Sequence, residues 1–211
     1  MKLDVPLVRQ KKDSVECGLA CLEMILSYYG EKTKIKDLRN EIKVYDDGIP
    51  VALIGSYLLK KGYGAEIVTL NPYIFTLKNS KSIENCKEYF KKLNKEMDRK
   101  RPINRFISFL ERGGEVIPKI PDEKDIREEI SKKRPLLAAL TSLFLFDDEP
   151  CFNEHYNVIT GINNDYIYVN DPLWDKFGGE HRYRIKDFLF GMYAINYSDL
   201  SGGSLMKITK K

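Results

Sequence analysis

The stretch LLAALTSLFLF, residues 136–146, limits what this chain can fold into more than any other. It is short, continuous and apolar, the pattern of a strand covered on both faces, and it therefore belongs at the centre of a sheet. Two β-rich runs follow, HYNVITGI from His155 and DYIYVND from Asp165, with Asn163-Asn164 between them as a hairpin signal. A last pair of strands is expected at HRYRI and YAINYS, on either side of a short helix KDFLF.

Ahead of Pro135 the periodicity is helical. In CGLACLEMILSYY, residues 17–29, Leu19, Leu22, Ile25 and Leu26 share one helical face, and Gly30 supplies the stop. KIKDLRNEIK repeats the pattern more weakly, a third helix runs from near Pro50 to near Gly62, and Ala65 to Leu70 reads as a strand. Residues 78–114 are lysine-rich, with Ile83, Tyr89, Phe90, Leu93 and Met97 at loose helical spacing, and Pro102 divides them into two helices. DEKDIREEISKKR has its acids early and its bases late, as a helix dipole favours, and Pro135 ends it. Helices come first and an antiparallel sheet second, an α+β pattern. The expected organisation is one domain over residues 1–211, with a helical insertion at about 78–114.

Composition narrows the function classes. A hydrophobic fraction of 43% with 13 Tyr and 10 Phe provides a real core without staples. The balance of 35 basic against 31 acidic residues, a net +4, gives no reason to expect a nucleic-acid partner. No stretch approaches the roughly 20 apolar residues that span a bilayer, and MKLDVPLVRQKKD lacks the apolar run of a signal peptide, so a cytoplasmic location is expected. Four cysteines are sparse for a disulfide framework, and His155 and His181 stand apart from them, so free thiols and no metal or other cofactor are expected.

Cys17 falls in the first turn of its helix, where free backbone N–H groups and the dipole favour an anion and can bring a thiol from about 8.5 into the range of roughly 3.5 to 7.5. Such a position suits a thiolate nucleophile, with Gly18 leaving the approach to sulfur open and the Cys17 N–H available to a developing oxyanion. The alternative is an inert buried thiol. Cys21, one helical turn on, reads as a packed hydrophobe rather than as half of a redox pair or metal clip.

The segment VRQKKDSVECGLACLEMILSYYG resembles the catalytic helix of family thirty-nine of the cysteine peptidases, the bacteriocin-leader processing peptidases and their stand-alone relatives. HYNVITGINNDYIYVNDPLWD resembles the same family's His strand, hairpin and Asp-Pro block, in the family order. The resemblance implies a papain-like fold, an N-terminal helical part carrying the Cys against a C-terminal sheet carrying His and Asp. It implies Cys17 as nucleophile, His155 as its base, Asp171 as the group orienting the imidazole and Gln10 as an oxyanion donor. Gln10 lies one residue further from the Cys than is usual in the family, so residues 11–16 must bulge for its amide to reach; otherwise it is a surface Gln. Asn170 competes with Asp171 as orienter, since strand alternation lets only one of them face His155.

Alone, a histidine or an Asn-Asp-Pro run is more often structural than catalytic, but Cys, His and Asp in this order form a triad pattern. The function implied is a cysteine hydrolase cleaving a peptide or other amide through a thioacyl intermediate, with a peptide or protein as partner. An acyltransferase or ligase using the same intermediate and a non-catalytic peptide-binding module are the alternatives. Trp174, Tyr156 and Phe152 either border a groove or cover the core, the acidic loop FDDEP at 146–150 either attracts a basic peptide or is simply solvated, and His181 reads as a surface strand residue.

Overall fold

The computed structural model describes residues 1–96, 100–146, 149, 151–197 and 200–210, residue 100 by its backbone only. The helices are α1 (Cys17–Tyr28), α2 (Ile35–Glu41), α3 (Val51–Lys60), α4 (Cys86–Glu96), α5 (Lys100–Glu111), α6 (Glu123–Ser131) and α7 (Ile185–Tyr193). The strands are β1 (Tyr63–Val68), β2 (Glu115–Ile117), β3 (Leu136–Leu140), β4 (His155–Ile162), β5 (Tyr166–Asp171), β6 (Gly179–Arg184) and β7 (Leu205–Lys210). They form one sheet in the order β2-β1-β7-β3-β4-β5-β6, so the apolar run that demanded a central place occupies the middle of seven positions.

β3 is buried at every residue, as is β4, which explains why both read as continuous rather than alternating patterns. The strand is shorter than its apolar run. After Leu140 the chain turns into a single 3-10 turn at Leu143–Leu145, held by Asn153, whose Oδ1 accepts from the Ser142 and Leu143 N–H groups. The hairpin of β4 and β5 forms as its turn residues require, Asn163 Oδ1 accepting from Asp165 N and Tyr166 N.

The C-terminal strands β3 to β7 pair antiparallel as expected, and β1 and β2 from the helical half extend the sheet, pairing parallel with each other. One expectation is corrected. The last strand is not YAINYS: α7 continues through Tyr193, and the closing strand is Leu205–Lys210, lying antiparallel between β1 and β3. LMKITK alternates only from Met206 to Thr209, apolar then polar, which is a weaker local signal than the aromatic content of YAINYS.

α1 is buried from Cys17 through Leu26 on all sides, not on one face. Its one carboxylate there, Glu23, meets the Lys34 ammonium at 3.1 Å and the Ile35 N–H at 2.7 Å, so the charge caps α2 instead of lying unpaired. The helix ends in a left-handed glycine, Gly30 at φ 89°, with Glu31 N–H donating to Leu26 O and Gly30 N–H to Ser27 O. Residues 78–114 give α4 and α5, and α5 packs on α3 and β2. Phe109 is wedged there: a Cβ at Gly55 would approach its ring to 2.6 Å and one at Gly114 to 2.4 Å.

Candidate active site

The N-terminal arm leads to the site along the sheet. Leu3 N–H donates to Thr160 O, Asn170 Nδ2 to Val5 O, and Gln10 N–H to Pro172 O at 2.7 Å. Asn170 therefore holds the arm and Asp171 faces the imidazole, as alternation along β5 dictates.

Cys17 is the first residue of α1, 9% exposed, and no side chain caps that end of the helix. Its neighbour Glu16 turns away from the free N–H groups to pair with Arg39. Gly18 serves close packing rather than an open approach, since a Cβ there would meet Ile54 Cδ1 at 3.1 Å and the Tyr156 ring at 3.5 Å. Cys21 packs as expected: its Sγ donates to Tyr156 O at 3.3 Å, and burial, then the nearby Cys17 and Asp171, push its thiol well above the usual range.

His155 opens β4 and Asp171 closes β5, so in an antiparallel pair their ends lie side by side. His155 Nε2 is 2.8 Å from Asp171 Oδ1, and His155 and Cys17 line the same small cleft. Burial opposes the imidazolium, but the Asp171 carboxylate and then Cys17 outweigh it and push His155 up to about 10. Burial likewise opposes the Asp171 carboxylate, yet His155, the Leu173 N–H and Asn157 hold it below its ordinary range.

Asn157 is the participant that sequence reasoning missed. Its Nδ2 donates to Asp171 Oδ2 at 2.9 Å, and with Leu173 N–H on Oδ1 at 2.9 Å it fixes the carboxylate plane. The signal was present, since His155 and Asn157 are two apart on one strand and so share a face.

Gln10 is buried, not a surface residue. Its Nε2 donates to Ser14 O, and its Oε1 has no partner among the described residues. The loop bulges as the longer spacing requires: Ser14 N–H and Oγ both donate to Lys11 O, and Asp13 adopts φ 53°. A small cleft opens beside Cys17 and His155, lined also by Asp47, Gly48, Ile49, Ile195, Asn196, Ser201 and Gly202.

Tyr156 lines that cleft, its hydroxyl donating to Ile49 O, whereas Trp174 and Phe152 are exposed. His181 is half-buried rather than on the surface, with Nε2 at 2.8 Å from Phe177 O in a stack with Phe146 and Tyr183. The acidic loop, apart from Phe146 and Glu149, lies outside the described residues. Among the described residues no group of three or more His, Cys, Asp or Glu could hold a metal ion, and no helix is long and apolar enough to cross a membrane.

The arrangement can run nucleophilic chemistry: a thiol beside an imidazole, a carboxylate behind it, and uncapped N–H groups at the sulfur. Comparison with known proteins agrees with this geometry. The model of the Peptidase_C39 like family matches residues 2–204. No curated protein gives a significant sequence match. Among solved structures, a C39-like peptidase described from Bacillus anthracis is 14% identical, with TM-score 0.58, covering 100% of this chain and 98% of its own. A double glycine motif protease from an AMS/PCAT transporter, solved with the leader peptide, is 18% identical, with TM-score 0.51 and coverage of 100% and 94%. The peptidase domain of Streptococcus ComA, a bi-functional ABC transporter, is 15% identical, with TM-score 0.52 and coverage of 97% and 98%. With a family match running from residue 2 to residue 204 on this α+β architecture, the chain belongs to the Peptidase_C39 like family and has the papain-like fold of its peptidase domains.

Proposed function

We propose that this protein is a cysteine peptidase that cleaves a peptide bond through a thioacyl-enzyme intermediate. The observation that carries the reading is His155, paired with Asp171 at 2.8 Å and lining one cleft with Cys17. Cys17 sulfur attacks the scissile carbonyl, and the imidazolium of His155 then gives its proton to the departing amine. Water, deprotonated by the neutral imidazole, releases the acyl group and regenerates the pair. Asp171 orients the imidazole and stabilises its charged form, and Asn157 with Leu173 N–H keeps Asp171 in place.

The oxyanion would be met by the uncapped Cys17 N–H and by the second proton of Gln10 Nε2, the first being occupied by Ser14 O. The small cleft, bordered by Gly48 and Gly202, favours an extended peptide with small residues next to the scissile bond. The fold's likeness to a double glycine motif protease solved with its leader peptide supports the same substrate class.

The test is turnover of a peptide library read by mass spectrometry. Cys17→Ala is expected to abolish cleavage, a loss of about 10⁴-fold or more, with the circular dichroism spectrum unchanged, because the sulfur supplies the only covalent step. Cleavage surviving in Cys17→Ala would rule the mechanism out.

A further inference from the structure

Arg9 precedes Gln10, and its guanidinium gathers carbonyls of the loop after β5. Nη1 donates to Leu173 O at 3.0 Å and Asp175 O at 2.8 Å, and Nη2 donates to Gly178 O at 3.1 Å. Carbonyl oxygens converging on one point repel one another unless a cation sits among them, and a planar fork of donors suits several acceptors at once. The loop is tight enough to require glycine there: a Cβ at Gly178 would lie 1.8 Å from Leu173 O and 2.9 Å from Arg9 Nη1.

That loop is continuous with the site. Leu173, whose carbonyl Arg9 holds, gives its N–H to Asp171 Oδ1, and Pro172 O accepts from the Gln10 N–H. Lys12, with its Nζ 5.2 Å from the Trp174 ring centroid, adds a second tie between the same two segments. We propose that Arg9 is a positioning residue that fixes the Gln10 amide relative to the Asp171–His155 pair, so that oxyanion donor and proton carrier act on one carbonyl. This rests on the reading of Cys17 as a nucleophile.

Two rates on the full chain separate the possibilities. The burst of nitrophenolate from p-nitrophenyl acetate requires an oxyanion to be held, whereas alkylation of Cys17 by iodoacetamide forms none. Arg9→Ala is expected to lower the acylation rate about 100-fold while alkylation stays within about threefold, since small displacements of an oxyanion donor cost that much. Arg9→Lys keeps the charge and offers one ammonium in place of the fork, and it is expected to fall with Arg9→Ala. Acylation within about threefold of wild type in either variant, or acylation and alkylation falling together as general loosening would produce, overturns the proposal. A wild-type protein showing neither burst nor rapid alkylation would instead defeat the proposed function itself, and this inference with it.

Discussion

His155 shows how one residue's surroundings set the behaviour of the site. It is buried, yet Asp171 and Cys17 hold its proton up to about 10, above the roughly 6.5 of an unfolded histidine. A raised pKa of this kind stabilises the fold fully below about pH 6.5, and the contribution is lost as the pH climbs towards 10. Asp171 has the opposite sign: held below its ordinary range, it contributes above about pH 4, and that contribution is lost as acid protonates it. Urea midpoints of wild type and His155→Gln should therefore differ most near pH 6 and converge towards pH 10. A difference that stayed constant over that range would show that the imidazolium does not stabilise the folded state.

At the scale of elements, packing rather than chemistry decides what the helical half tolerates. Gly55 on α3 leaves room for the Phe109 ring of α5, which is fully buried and also has Gly114 against its edge. Gly55→Val is expected to destabilise the protein by about 1–3 kcal/mol through overpacking, read as a lower thermal midpoint, with the cleavage rate unchanged at temperatures where it stays folded. An unchanged midpoint would mean that α5 is not seated on α3 in this way. Elements with strong local patterns were legible in the sequence: the Cys17 helix with its Gly30 stop, the central strand and the Asn163 hairpin. Pairing over distance was not. β2 has only the residues Glu115–Ile117, too few for a period, and β7 belongs with β1, whose register no local pattern reveals. In the site, alternation along β5 left Asn170 and Asp171 both open as partners of His155 and only the family resemblance favoured Asp171, whereas Arg9 and Asn157 act through contacts that become visible only once the hairpin and the arm are placed.

For the molecule as a whole, the sheet assembles a site from distant parts of the chain. β7 joins the strands of the helical half to β3, α1 lies on β4, and this places a thiol from position 17 beside an imidazole from position 155. The exposed Cys151 provides an internal standard for that claim. Rates of iodoacetamide labelling should be followed at both cysteines by peptide mass spectrometry at about pH 6, where an ordinary thiol is almost wholly protonated. The account predicts that Cys17 reacts faster than Cys151 despite its burial, and that His155→Ala removes the advantage. Cys17 reacting no faster than Cys151, or reacting equally fast without His155, would contradict the assembly of a thiol–imidazole pair in this fold.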